Sequence, residues 1–194
     1  MVILVNQIKE AMDVLMLDKE KMASVSNKSD ATKWGIIILV VPPLLNLILS
    51  ALSFPSGLNA IFTGLVFWSM VVPTVSLVAT MFLMSFVAQK YFKGGDGHKQ
   101  FFNVLAYASV VFWLTPIAFL IDLVGIMDAS GLLNLISTVG LVWVFVVAYN
   151  YLVHIRKVTQ KDATLVVLGG VFSYFLLQYI LGRVLIGKYY KLFY

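Results

Sequence analysis

The chain contains no cysteine, and charged residues make up only 12% of its 194 residues. The lack of cysteine excludes a disulfide scaffold, a thiolate metal site, a thiol nucleophile and cysteine lipidation. A soluble domain carries about 25% charged residues, because charge has to cover its surface. Together with the 61% of hydrophobic residues, the scarcity of charge therefore excludes a soluble enzyme. Histidine and glutamate occur only twice each, which leaves little material for a metal centre.

Long uncharged runs dominate the rest of the chain. Residues 34–89 are 56 positions without one charged side chain, enough for two crossings of a hydrocarbon core at about 20 residues each. A cluster of Pro, Gly and Ser at 53–57 predicts the turn between them, with a short helix at 58–65. We predict an all-α integral membrane protein with five transmembrane helices, at about 35–53, 67–89, 101–127, 132–153 and 164–186.

The distribution of Lys and Arg predicts the orientation. Eleven basic residues lie before span 1, between spans 2 and 3 and between spans 4 and 5, whereas three lie at or beyond the end of span 5. Short cytoplasmic loops collect basic residues. We therefore expect a cytoplasmic N-terminus and an external C-terminus.

Residues 1–33 are predicted to form a cytoplasmic amphipathic segment ahead of a membrane domain of residues 34–194. Leu4, Val5, Ile8, Met12 and Leu15 recur at three- and four-residue spacing, which is typical of the apolar face of a helix. Such a helix either lies among the lipid headgroups or packs under the bundle.

Proline interrupts three of the predicted spans. Pro42 and Pro43 in span 1, Pro73 in span 2 and Pro116 in span 3 cannot donate a helical N–H. The resulting kinks either serve helix packing or line a substrate cavity, since neighbouring helices can satisfy the freed carbonyls in both cases. Asn46, in span 1, is interpreted as an interhelical hydrogen-bonding group.

Two charged side chains fall within the predicted spans, Asp122 and Arg183, each near the outer end of its helix. Intramembrane ionisable groups are candidates for function. Three interpretations stay open: a structural Asp122–Arg183 pair, exposure at the membrane interface, or proton and ion handling. We favour the pair, because coupled carriers place charge nearer the midplane.

The loops after spans 2 and 4 carry the candidate binding residues. Their glycines either cradle a phosphate with backbone N–H groups or simply form a turn. Their basic side chains either attract anionic lipid headgroups, by about 1 kcal/mol each, or record only the topology. The candidate lipid- or partner-binding residues are Lys90, Lys93, Gly94, Gly95, Gly97, Lys99, Arg156 and Lys157.

No catalytic arrangement is recognisable. We expect His98 and His154 to lie in cytoplasmic loops; they belong to no metal-binding helix motif, and Ser109 has no neighbouring base. We therefore expect neither enzyme activity nor a cofactor.

Three ordered patterns lie along the predicted spans. They are the loop 93–97, the segment 104–109 followed by Pro116, and Val153-His154-Ile155 with Ala163. In this order they resemble the Yip domain family, polytopic membrane proteins named for interaction with Rab-type GTPases. The resemblance covers about residues 30–187 and implies a five-helix domain with a cytoplasmic N-terminus. Because residues 1–33 contain no Tyr, Pro or Gly, the Asp-Leu-Tyr-Gly-Pro type of motif of eukaryotic members is missing. The chain looks more like the short prokaryotic members, which implies a prokaryotic cell membrane.

Two functions follow as hypotheses. The first is a non-enzymatic scaffold or organiser of Yip type, or a trafficking-like factor, that acts through its basic cytoplasmic face. Its expected partners are membrane lipids, a protein at that face and further copies of the chain, with no nucleic acid. The alternative is a small transporter or channel whose cavity is lined by the kinked spans. A polar cavity that reaches mid-membrane favours the transporter, and its absence favours the scaffold.

Overall fold

The computed structural model of the protein describes residues 2–53, 65–92, 97–126, 128 and 130–186. Two short helices, α1 (Val2–Leu15) and α2 (Lys19–Asn27), precede the long helices α3 (Ala31–Ser53) and α4 (Leu65–Phe92). A 3₁₀ turn at Ser109–Trp113 joins α5 (His98–Ala108) to α6 (Leu114–Leu123). Helix α7 (Ser130–Asn150) continues into a π turn at Tyr151–Ile155, and α8 (Gln160–Leu181) continues into one at Gly182–Ile186.

Five segments are long and apolar enough to cross a membrane, which confirms the predicted all-α, five-span class. They are span 1 (Ala31–Ala51), span 2 (Phe67–Phe92), span 3 (His98–Leu123), span 4 (Ser130–Ile155) and span 5 (Gln160–Leu185). Span 5 begins a turn earlier than predicted because Thr159 caps α8, its Oγ1 accepting from the Asp162 N–H at 3.2 Å. The predicted helix at 58–65 lies outside the described residues except for Leu65, where α4 begins.

The predicted end of span 3 at residue 127 is wrong, because α6 ends at Leu123. Gly125 takes the left-handed conformation with φ +70°. Its N–H bonds the Asp122 carbonyl at 2.9 Å, and the Ile126 N–H bonds the Ile121 carbonyl at 3.2 Å. These two bonds form a Schellman motif, which terminates a helix at a left-handed glycine.

Spans 2 to 5 form a ring in which each span packs against the next and span 5 closes on span 2. Span 1 lies outside the ring and packs against spans 2 and 3. Spans 2 and 5 approach closely at Gly170, where a Cβ would overlap the Met84 side chain and lie 3.3 Å from Phe145 Cε1. Small residues at such crossings let membrane helices pack backbone to backbone.

Helices α1 and α2 pack against α5 at one end of the bundle, which we call the capped end; the opposite end is the far end. The predicted amphipathic helix is present, and Ile8 and Leu15 of its predicted face pack against the core, but the most buried side chains lie beside that face. Gln7, Ala11 and Val14 are buried, whereas Val5 and Met12 are 58% and 41% exposed. The small Ala11 permits close packing against the bundle, and a polar contact draws Gln7 inward.

That contact belongs to a polar network between the cap and span 3. Tyr107 Oη, in α5, donates a hydrogen bond to Gln7 Oε1 at 2.5 Å. Lys28 Nζ donates to the same Gln7 oxygen at 3.3 Å and forms an ion pair with Glu10 at 2.8 Å. Because buried polar groups require partners, this network fixes α1 in one position on the bundle.

Candidate functional site

A cavity of about 240 Å³ lies among the spans, on the far-end side of the packed core. All five spans contribute to its walls, from about the middle of each span toward the far end. Ser69 and Ser137 are exposed, whereas Tyr174 is buried, so the cavity runs from the protein surface into the bundle. Its polar wall residues are Asn46, Ser69, Thr74, Thr115, Ser137 and Tyr174.

Proline residues line the walls of this cavity. This agrees with the second of the two interpretations given above, in which the prolines line a cavity. Pro42, Pro43 and Pro73 line it. Pro116 follows the wall residue Thr115, and the missing N–H of Pro116 frees the Phe112 carbonyl four residues earlier. Thr115 Oγ1 donates to that carbonyl at 2.7 Å, so a wall side chain replaces the lost helical bond.

A second freed carbonyl is satisfied from another helix. Pro42 cannot donate to the carbonyl of Ile38, four residues earlier. Trp113 Nε1, in the 3₁₀ turn of span 3, donates to the Ile38 oxygen at 2.9 Å. This bond ties the kink of span 1 to the irregular part of span 3, beside the cavity.

Asn46 joins the same two spans within the cavity wall. Its Nδ2 donates to Thr115 Oγ1 at 2.9 Å. Since the Thr115 hydroxyl donates to Phe112, it can accept from Asn46, which fixes the orientation of the amide. The Asn46 Oδ1 is buried and accepts no hydrogen bond from the described residues. The wall therefore holds a buried acceptor that a hydrogen-bond donor of a bound solute can reach from the cavity.

The cavity ends toward the capped end at a tightly packed layer. Leu77 and Tyr174 line its inner part. One to two turns further along span 2, Met81 and Met84 are fully buried, and Met84 packs against Gly170 of span 5. Close-packed side chains of this kind leave no path for water, so this layer closes the cavity toward the capped end.

The electrostatics of the cavity are neutral. Among the described residues, its wall offers amide and hydroxyl groups but no Lys, Arg, Asp, Glu or His. Such a surface exchanges hydrogen bonds with an uncharged solute and has no countercharge for an ion. Within the part of the chain that the structure describes, no three His, Asp or Glu side chains gather to hold a metal ion.

The eight predicted binding residues divide into three groups, of which the third consists of Arg156 alone. Lys90, Gly97, Lys99 and Lys157 are exposed at the capped end. Lys93, Gly94 and Gly95 lie outside the described residues. The two predicted loops do meet, because Arg156 Nη2 donates to the Gly97 carbonyl at 2.7 Å.

Arg156, one of the predicted binding residues, has a side chain that is only 5% exposed. The cause is the end of span 4, where Lys157 takes the left-handed conformation with φ 58°. This turn directs Lys157 outward, while the guanidinium of Arg156 lies 5.2 Å from the ring centroid of Phe101 and 5.5 Å from that of Tyr151.

The favoured Asp122–Arg183 pair is not formed. Arg183 Nη1 donates to Tyr179 Oη, one turn earlier on its own helix, at 2.8 Å. Among the described residues the ion pair found is Lys28–Glu10, in the cap. The order of the helices is the reason: α6 packs on spans 1 and 4, whereas span 5 packs on spans 2 and 4. Both side chains are exposed, as the interface interpretation expects.

Sequence reasoning missed Thr115 and Trp113 as parts of the site. A signal was present, since both lie within three residues of Pro116 and carry donors that suit a freed carbonyl. Thr115 reaches a carbonyl of its own span, whereas the carbonyl that Trp113 reaches depends on the packing of span 3 against span 1, and no spacing in the chain reveals that.

No protein-family model, no curated protein and no solved structure shows significant similarity to this chain. The class of the protein therefore rests on its own fold and site. It is a five-span helical membrane protein with a hydrogen-bonding cavity among spans that contain proline.

Proposed function

We propose that the protein is a small transporter for an uncharged solute that donates hydrogen bonds. The observation that carries this proposal is the cavity formed by all five spans, in which the buried Asn46 Oδ1 lacks a donor. At about 240 Å³, the cavity lies just below the range of drug-sized sites. A molecule of the size of glycerol or urea suits this volume.

A transporter is favoured over an open channel because the capped half of the bundle is closed. Met84 packs against Gly170 between the cavity and the cap, and α1 and α2 lie over α5 beyond it. Transport through such a structure requires alternating access, in which the cavity closes at the far end and opens at the capped end.

The test is solute uptake into proteoliposomes, with glycerol and urea as probes and light scattering as the measurement. We expect uptake above that of protein-free liposomes. Asn46→Leu removes the acceptor and the bond to Thr115, and one hydrogen bond of about 1 kcal/mol corresponds to roughly fivefold slower uptake.

Asn150→Leu is the matched control. Asn150 also lies in a span, but its Nδ2 donates to the Val146 carbonyl of its own helix at 2.9 Å, away from the cavity. We expect this variant to retain the uptake of the parent. Equal rates for the parent protein and empty liposomes would rule out transport of these solutes.

For the orientation, we propose a cytoplasmic N-terminus and an external C-terminus in a prokaryotic cell membrane. The excess of basic residues at the capped end supports this orientation. Since the chain has no cysteine, single-cysteine variants can be labelled selectively in intact cells. We expect an impermeant thiol reagent to label Asp128→Cys, at the far end, but not Lys157→Cys; the opposite pattern would reverse the orientation.

A second candidate function, a non-enzymatic scaffold of Yip type, is favoured by the cap. Helices α1 and α2 form an ordered surface with the exposed Lys90, Lys99 and Lys157 near it. Such a surface suits lipids, a protein partner or a further copy of the chain. Affinity purification with native lipid tests this candidate: a partner lost on deletion of residues 1–27, together with absent solute uptake, would favour the scaffold over the transporter.

A further inference from the structure

Among the residues that the structure describes, Arg156 is a buried cation without an acidic partner. Its side chain is 5% exposed, and of its donors only Nη2 is used, toward the Gly97 carbonyl at 2.7 Å. The Nε and Nη1 atoms are buried and make no hydrogen bond. The nearest acid along the chain, Asp162, instead accepts a hydrogen bond from Thr159 Oγ1 at 2.7 Å.

Aromatic rings compensate this charge only in part. The guanidinium carbon lies 5.2 Å from the ring centroid of Phe101 and 5.5 Å from that of Tyr151. A cation–π contact stabilises a cation by less than the burial of its charge costs. An anion would neutralise this charge and accept hydrogen bonds from the Nε and Nη1 donors that have no partner.

The neighbouring helix end attracts an anion as well. Gly97 is the N-cap residue of the 11-residue helix α5, and no side chain caps that helix. A helix N-terminus carries a partial positive charge and unpaired N–H groups. Gly97, whose carbonyl accepts from the guanidinium, is exposed, so this helix end is open to the solvent.

We propose that Arg156 and the N-terminus of α5 form a binding site for a phosphate group at the capped end. A phosphate offers several charged oxygens, which suit both the planar donors of arginine and the backbone N–H groups of a helix start. The phosphate belongs either to an anionic phospholipid headgroup or to a soluble phosphate compound. This site is distinct from the solute cavity and does not depend on transport.

The experiment measures thermal unfolding of the full chain in nanodiscs. The first arm uses phosphatidylcholine nanodiscs with and without inorganic phosphate, at ionic strength matched with potassium chloride. The second arm compares phosphatidylcholine with phosphatidylglycerol nanodiscs. A rise in melting temperature in the first arm identifies a soluble phosphate, and a rise in the second arm alone identifies the headgroup; either one supports the site.

Arg156→Met should abolish the stabilisation and weaken the apparent affinity at least about tenfold, since one charge-assisted hydrogen bond is worth about 1.5 to 3 kcal/mol. Without added phosphate this variant should unfold no earlier than the parent, because it no longer buries an unpaired charge. Arg183→Met, which removes an exposed arginine bonded to Tyr179, is the matched control and should respond as the parent does.

An equal response of Arg156→Met and the parent, or no response of the parent in either arm, would overturn the proposal. Phosphorus-31 NMR of the parent protein keeps the test independent of variant folding. Phosphate or phosphatidylglycerol signals should broaden on addition of the parent, and unchanged signals for both probes would likewise overturn it.

Discussion

Trp113 Nε1 donates to the Ile38 carbonyl oxygen, 75 residues earlier in the chain, at 2.9 Å. The carbonyl is available because Pro42 lacks the N–H that would bond it. In hydrocarbon, a freed carbonyl needs an internal donor. The kink of span 1 is therefore stabilised by a side chain of span 3, and the two spans form one wall of the cavity.

This relationship predicts a coupling between two substitutions. Trp113→Phe keeps an aromatic ring but loses the donor, and we expect it to lower the free energy of unfolding by about 1 kcal/mol. Pro42→Ala restores an N–H for Ile38. In the Pro42→Ala background, Trp113→Phe should therefore have a smaller effect, measured by equilibrium unfolding in detergent–lipid bicelles. Additive effects of the two substitutions would contradict this coupling.

Alanine substitutions at two adjacent glycines in span 5 are expected to change the free energy of unfolding differently. Gly170→Ala places a Cβ against the buried Met84, and we expect a loss of about 1 to 3 kcal/mol from overpacking. A Cβ at Gly169 meets nothing within 4 Å, so Gly169→Ala should be neutral or stabilise the helix by up to about 1 kcal/mol. The same unfolding measurement compares the pair, and Met84→Ala should partly rescue Gly170→Ala. Equal effects at both glycines would show that their packing does not differ.

The hydrogen bond between α1 and span 3 predicts how often α1 separates from the bundle. Tyr107→Phe removes the hydroxyl that bonds to Gln7, so α1 should separate from the bundle more often. A single cysteine at the buried position Val14 reports this opening through its rate of thiol labelling. We expect labelling several-fold faster in the Tyr107→Phe background, since the lost bond is worth about 1 kcal/mol. An unchanged rate would mean that apolar contacts alone hold the cap.

The hydrogen bond at the start of α7 predicts how the Asp128 carboxyl titrates. The Ser130 N–H donates to Asp128 Oδ1 at 2.9 Å, and this backbone bond lowers the pKa of the Asp128 carboxyl. The bond favours the charged form, so it is present above the ordinary pKa of an aspartate and is lost as the pH falls through the lowered value. Ser130→Pro removes the N–H at a helix position that accepts proline.

We expect Ser130→Pro to raise the pKa of Asp128 toward its ordinary value, observed by carbon-13 NMR of labelled aspartate. Ser130→Ala keeps the N–H and should retain most of the lowering, because the Ser130 side chain is the smaller cause. An Asp128 pKa that stays low in Ser130→Pro would contradict the assigned cause.

Sequence patterns predicted the spans well because apolar length and charge distribution are properties of the chain itself. Their ends were predicted less well. The end of α6 at Leu123 depends on the left-handed conformation of Gly125, and apolar content does not reveal it, since Ile126 is as apolar as the helix before it. The buried face of α1 was predicted only in part: Ile8 and Leu15 do pack against the core, but the burial of Gln7 depends on its contact with Tyr107, 100 residues away.

The sequence by itself determined the membrane class, the five spans and the positions at which proline frees a carbonyl, because each follows from covalent structure and local composition. Only the tertiary structure decided that Trp113 satisfies Ile38, that the kinks enclose a cavity, and that Arg156 is buried beneath Gly97. The physical reason is that burial and hydrogen bonding depend on which helices are neighbours. Neighbours are set by packing at contacts such as that of Met84 with Gly170. The identity of a single side chain does not determine which helix packs against it.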